Sequence, residues 1–226
     1  AFTGLEKKKK NDSKNLMSEE GKQVFFNTPE NVEALQFWID LQKKYEVMAE
    51  GIVQWTDLPT QFLAGEVVMI YHTTGNLTNI AKNAKFNYGV AFLPAHKRKG
   101  APTGGGNFYI SSGISEERQK AAWKFIKFAT SPERAAQWSV DTGYVATRNS
   151  SFATETMKKY YEERPQAKVA FEQLQFAKPE LTTYNAAEIW RILNDNIQSA
   201  ITGEKTAKEA LDNAQKEATE ILKDFN

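Results

Sequence analysis

The chain has 226 residues, 41% of them hydrophobic, with 29 Lys+Arg set against 28 Asp+Glu. That composition suits one large globular domain or two smaller ones, and the near-zero net charge gives no electrostatic case for nucleic acid or a membrane surface as partner. The absence of cysteine removes disulfides, Cys-ligated metals and thiol catalysis. His72 and His96 are the only histidines, far apart and without metal-ligand spacing, so neither a His-based catalytic centre nor a zinc site is expected; no cofactor is expected either.

The opening, AFTGLEKKKKND, reads as a processed end or the start of a piece, and Lys7 to Lys10 as a solvated loop. Thr28-Pro29-Glu30 then opens a helix, with Thr28 as cap and Pro29 in the first turn. Val32, Leu35, Trp38, Ile39 and Leu41 form its apolar stripe. A short helix spans 58–63 and stops at Gly65. VVMIYHT (67–73) is β-branched, apolar and bounded by glycines, which predicts a buried strand. A helical stretch through Leu77, Ile80 and Ala81 follows, then a second predicted strand over 87–94, closed by Pro94. The polar segment 95–103, AHKRKGAPT, is the best linker candidate.

FYISS (108–112) predicts a third strand. Ser115 caps a helix with Ala121, Ala122, Phe125 and Ile126 inside, and Ser131-Pro132-Glu133 starts another. Further helices are expected near 152–162, near 168–177 and from Ala186 to Ile201, with Gly203 as a stop. Thr206 caps the last helix, whose apolar positions are Leu211, Ala214, Ala218, Ile221 and Leu222. The sum is an α/β chain, rich in helix, with open sheets. Trp38, Trp123 and Trp138 lie on helical stripes and are expected in the core.

Three loops carry candidate chemistry. TGGGNFYISS (103–112) places three glycines before an apolar run. It lacks the Lys-Ser/Thr of a phosphate loop and the preceding strand of a dinucleotide fingerprint. It is either a turn or a bare backbone wall against a ligand. HTTGNL (72–77) leads into a helix and is either a Thr-capped turn or a set of donors for an oxygen-rich ligand. In TGYVA (142–146), Tyr144 either packs on its own lobe or stacks at a surface. Trp55, after polar Gln54, is a candidate ligand platform. The acidic pairs Glu116/Glu117, Glu162/Glu163 and Glu217/Glu220 read as solvated helix faces, and no Gly-x-Ser-x-Gly elbow occurs.

The order of these loops resembles the C-terminal part of solute-binding proteins of carbohydrate-type ABC importers, the group that includes maltose-binding proteins. The resemblance is carried by NTPENVEALQFWIDLQKKY, FLAGEVVMIYHTTGNLTNI, KFNYGVAFLPAHKRKGAP, GGGNFYISSGISEERQKAAWKFIKFATSPERAAQW, DTGYVATR and ITGEKTAKEALDNA, which together cover most of the chain. Within that group it looks most like the periplasmic sn-glycerol-3-phosphate-binding branch. The resemblance implies a two-lobe periplasmic-binding-protein-like fold (type II) with most of the N-terminal lobe missing. Residues 1–97 and 147–226 would belong to the C-terminal lobe, and 98–146 to a returning segment of the N-terminal lobe.

It further implies a non-enzymatic, monomeric protein outside the cytoplasm, periplasmic or extracellular, free or lipid-anchored. Such a protein captures a sugar or polyol by hinge closure and delivers it to a membrane permease. By the resemblance, ligand contacts would fall on Thr73 or Thr74, on a glycine of Gly104–Gly106, and on Tyr144; with the loop readings above, the expected ligand-binding set is Thr73, Thr74, Gly75, Gly104, Gly105, Tyr144 and Trp55. Thr182, in LTTYNAAEIWR, stands where the branch carries a phosphate-binding Arg, and TGYVA replaces TGY-Leu-Pro. Losing a bidentate phosphate contact favours a neutral sugar or polyol over glycerol 3-phosphate itself. Two rival readings are a glycosidase using a Glu pair, which needs carboxylates facing each other across roughly 5–10 Å, and a structural domain whose aromatics are all core.

Overall fold

The computed structural model describes residues 16–226; the Lys7–Lys10 run lies outside them. The chain divides into two compact units. Among the described residues the first comprises 16–54, Leu93–Gly104 and Phe176–Asn226, and the second Trp55–Phe92 and Gly105–Gln175.

In the first unit, α1 (Pro29–Lys43) starts as expected: the Thr28 hydroxyl accepts from the Asn31 amide at 3.3 Å, and Pro29 occupies the first turn. Its stripe turns Leu35 into the core, with Val32 and Ile39 packed against it. The core lies mainly between α8 (Ala186–Ile201) and α9 (Ala207–Leu222), where Ile189, Ile192 and Leu193 meet Leu211 and Leu222. Ala207, Ala210, Ala214 and Ala218 are all buried on α9. Small side chains three or four residues apart let a neighbouring helix approach closely along one face.

The extended stretch before α1 joins this core through Phe26, which is fully buried. Its backbone is held by one glutamine of α9. The Phe26 amide donates to Gln215 Oε1 at 2.7 Å, and Gln215 Nε2 donates to the Val24 carbonyl at 2.9 Å. A side-chain amide thus supplies the pairing that a neighbouring strand would give. A two-stranded parallel ladder, β1 (Ala101–Thr103) with β2 (Ala177–Pro179), is also in this unit, with Ala101 opposite Ala177. The segment read as linker therefore contains a strand.

The start of α9 is a reciprocal capping box. The Glu209 amide donates to the Thr206 hydroxyl at 3.2 Å, and Glu209 Oε2 accepts from the Thr206 amide at 2.9 Å. The Thr206 amide and hydroxyl hold the Glu209 carboxyl below the usual carboxylate range. Replacing Thr206 by Ala is expected to lower stability by about 1 kcal/mol at neutral pH, measured by urea unfolding. A depressed carboxyl pKa contributes stability above the unfolded value and loses it as pH falls through the folded one. The difference between Thr206→Ala and the parent therefore shrinks on acidification below the carboxylate range.

The second unit holds α2 (Leu58–Ala64), α3 (Leu77–Asn83), α4 (Glu116–Ala129), α5 (Pro132–Thr142), α6 (Glu155–Glu163) and α7 (Lys168–Gln173). The predicted caps are present: Gly65 takes the left-handed conformation after α2, and Ser115 and Ser131 accept from Arg118 and Arg134 amides. Its core gathers Ala136, Met157, Tyr160 and Ala167, with Val140, Phe152 and Tyr161 packed against them. The Thr78 hydroxyl donates to the Val140 carbonyl at 2.8 Å and ties α3 to α5. The region expected as one helix near 152–162 divides into a 3-10 turn, Asn149–Ala153, and α6, because Thr154 caps a new start.

Three strand predictions are corrected. Residues 67–73, 87–94 and 108–112 enter no ladder among the described residues. A strand exists only as part of a ladder of N–H and C=O groups, and the ladder among the described residues takes in none of these runs; Val68 is 98% exposed. The tryptophan expectation is corrected for the same reason. Trp38, Trp123 and Trp138 all stand exposed, and α4 buries none of its residues, Phe125 included. The apolar faces are real, but no described element covers them.

Candidate functional site

In the second unit, residues 72–77 form a tight turn into α3. The Thr73 hydroxyl accepts from the Gly75 amide at 3.3 Å, and the Thr73 carbonyl from the Asn76 amide at 3.1 Å. This makes Thr74–Asn76 a single 3-10 turn that runs directly into α3. The Thr73 reading as a cap is therefore correct at the level of geometry. The Thr74 hydroxyl has no hydrogen-bond partner among the described residues.

The loop after α5 is laid against this turn. Gly143, with φ of 95°, ends α5 in the left-handed region that favours glycine. A Cβ placed on it would lie 2.6 Å from both the Thr74 carbonyl oxygen and Leu77 Cβ. Tyr144 follows; its carbonyl accepts from the Ser139 hydroxyl, and its amide donates to Thr142 Oγ1 at 3.1 Å. Its ring lies over Gly75 so closely that a Cβ there would sit 2.5 Å from Cζ and 2.9 Å from the phenolic oxygen. Two glycines, one from each loop, therefore allow the contact. The Tyr144 side chain is 44% exposed, and its hydroxyl has no partner among the described residues.

Trp55 reaches the same turn through His72. The two rings stack with centroids 3.8 Å apart and planes inclined by 20°. His72 Nε2 lies 3.1 Å from the Trp55 carbonyl, and Asn76 Nδ2 lies 2.7 Å from His72 Nδ1. His72 and Asn76 were missed as site components in the sequence, where His72 was weighed only for metal or catalytic chemistry. A His and an Asn at the two ends of a Thr-Thr-Gly turn are the signal that was available.

The structure thus brings Trp55, Thr73, Thr74, Gly75 and Tyr144 together in one unit. Gly104 belongs to the other unit, where a Cβ would fall on the Glu180 carboxylate. The bare backbone there accommodates a side chain of the protein itself. Gly105 opens the next stretch of the second unit, with nothing within 4 Å of the position a Cβ would take.

The cluster offers hydroxyls, backbone amides and two aromatic faces, and none of its residues is a carboxylate. Among the described residues no three His, Cys, Asp or Glu gather as a metal site, and no helix is long and apolar enough to cross a membrane. The sequence profile of the family described as bacterial extracellular solute-binding protein matches residues 3–169. The chain belongs to that family. The chain is 32% identical over 212 residues to the sn-glycerol-3-phosphate-binding periplasmic protein UgpB of Pectobacterium atrosepticum, with 88% of this chain and 47% of the relative covered. It is 31% identical over 211 residues to UgpB of Salmonella typhimurium, with 88% and 48% covered. The chain therefore spans about half the length of the curated relatives it matches.

Among solved structures, it is similar to UgpB from Mycobacterium tuberculosis in complex with glycerophosphocholine, at a TM-score of 0.77 and 26% identity, covering 90% of this chain and 51% of that one. It is similar to maltose-bound MalE3 of T. maritima at a TM-score of 0.79 and 28% identity, covering 92% and 54%. The family's fold is that of two-lobe periplasmic binding proteins, and its members are binding components rather than enzymes. The glycosidase alternative finds no support in these relatives.

Proposed function

We propose that this protein is the substrate-binding component of an ABC importer, and that it captures a sugar or polyol outside the cytoplasm and delivers it to a membrane permease. The observation that carries the reading is the contact of the Thr73–Gly75 turn with Tyr144, which brings two residues with unpartnered hydroxyls, Thr74 and Tyr144, to one turn in a member of a solute-binding family. Oxygen-rich ligands need convergent polar groups of this kind beside apolar surface. Thr74 gives a neutral donor and acceptor, Tyr144 a phenol and a ring face, and Trp55 an indole.

The relatives' names place glycerol 3-phosphate, glycerophosphocholine and maltose among the compounds to test. Calorimetry on the full-length protein with these three compounds is expected to find one that binds. Thr74→Ala should weaken that binding about tenfold, the magnitude of one lost hydrogen bond in a desolvated site, and Tyr144→Ala about thirtyfold, because the phenol's hydrogen bond and the ring contact are lost together. Unchanged affinity in both variants removes this cluster from the ligand site.

A further inference from the structure

We propose that His72 is a positioning residue that presents the indole of Trp55 as a wall for the apolar C–H face of a pyranose ring. The inference rests on the reading of the Thr73–Tyr144 cluster given above. Its basis is the set of contacts around the imidazole, each of which has a defined role.

The Trp55 carbonyl can only accept, so Nε2 of His72, 3.1 Å away, must carry a proton and donate it. The Asn76 amide nitrogen, 2.7 Å from Nδ1, can only donate, so Nδ1 must hold its lone pair. Together they fix the neutral ring in one tautomer. Asn76 is itself anchored: its backbone amide closes the turn on the Thr73 carbonyl at 3.1 Å, and its Oδ1 accepts from Asn79 Nδ2 at 3.5 Å.

The imidazole is therefore attached to both ends of the turn, through the chain at Thr73 and through Asn76. It holds Trp55 in two ways at once, by a hydrogen bond to its backbone and by a ring stacked at 3.8 Å. Without His72, Trp55 would sit in an exposed loop before α2, and an exposed indole has several rotamers of similar energy. The indole is 56% exposed, and His72 is its only ring partner among the described residues. One face is occupied by the imidazole. The other is a flat, rigid, apolar surface, and the imidazole that holds it adjoins the turn carrying Thr73 and Thr74. A sugar ring has that pair of properties, an apolar C–H face and a polar edge. Acyclic glycerol 3-phosphate has no ring face to lay on the indole.

The test uses the full-length protein and two probes, maltose and glycerol 3-phosphate. The Trp55 indole N–H signal in an amide correlation spectrum is assigned by its loss in Trp55→Phe. His72→Ala is expected to shift and broaden it, and His72→Gln, which keeps a donor toward the Trp55 carbonyl, to restore most of its position. Imidazole nitrogen shifts should show the Nε2–H tautomer at neutral pH. An indole signal unmoved in His72→Ala overturns the positioning role, as does a mixture of tautomers.

In calorimetry, His72→Ala and Trp55→Ala should each lower maltose affinity about fivefold, and the double variant no more than either alone. Glycerol 3-phosphate affinity should stay within twofold of the parent. Additive losses, equal losses for both probes, or a parent protein that binds only glycerol 3-phosphate overturn the ring-ligand role. A parent that binds neither probe overturns the ring-ligand role, while the indole signal still decides whether His72 positions Trp55; the reading of the cluster falls only if glycerophosphocholine fails to bind as well.

Discussion

Gly143→Ala is expected to destabilise the second unit by about 3 kcal/mol, read as a lower urea midpoint with an unchanged slope. Two costs combine. Gly143 has a φ of 95°, and an alanine held in the left-handed region costs roughly 1–2 kcal/mol. The new Cβ would also lie 2.6 Å from the Thr74 carbonyl oxygen and 3.1 Å from the Leu77 amide nitrogen. Those atoms are main chain in the 3-10 turn and at the start of α3, so they cannot swing aside. Relieving the clash means moving the α5 end away from α3 and weakening the Thr78–Val140 hydrogen bond. Gly65→Ala is the control, because Gly65 has a φ of 77° and nothing within 4 Å of a Cβ. It should cost only the conformational part, about 1 kcal/mol. Equal losses in the two variants would show that the contact with Thr74 does not constrain the fold.

The helices were legible because their signals are local. Thr28, Ser115, Ser131 and Thr206 each reach an amide three residues on, so the residue type and its neighbours suffice to place the start. The strands were not, because VVMIYHT and FYISS report only that a segment suits a pleated, half-buried surface. Whether it becomes a strand depends on a partner that its own residues do not encode. Amphipathic stripes have the same limit: the pattern on α4 names the apolar face but not what covers it. Conversely, the ladder that does form lies in AHKRKGAPT, where proline and glycine made the sequence read as linker.

At the candidate site, the Thr-Thr-Gly turn and the Gly-Tyr loop could each be picked out as irregular and polar. Their meeting could not, because it depends on two missing Cβ atoms, one on each of two distant segments, each leaving room for a group of the other segment. Gly104 shows the same thing in reverse. Its need for a bare backbone was readable, but the group that requires it is Glu180, brought there by the β1–β2 pairing. The pairing of His72 with Trp55 was equally hidden, since neither residue is unusual in its own stretch.

Gly75→Ala separates binding from stability, because its clash is of a different kind from that at Gly143. The Cβ would meet the Tyr144 ring, 2.5 Å from Cζ and 2.6 Å from Cε2, and no main-chain atom is among its three nearest neighbours. A ring that is 44% exposed at the end of a rotatable side chain can turn away at small cost. Stability should therefore change by less than about 1 kcal/mol, within the range for substitutions that strain no main chain. The ligand loses what the displaced ring supplied. A hydrogen bond from the phenol and the ring contact are worth about 1 kcal/mol each, so the bound compound should weaken roughly thirtyfold, each 1.4 kcal/mol being tenfold. Tyr144→Ala in the same background should add almost nothing, since the two substitutions remove one contact. If Gly75→Ala binds as well as the parent, the ring over the turn does not touch the ligand, and Tyr144 serves only to pack the α5 end against α3.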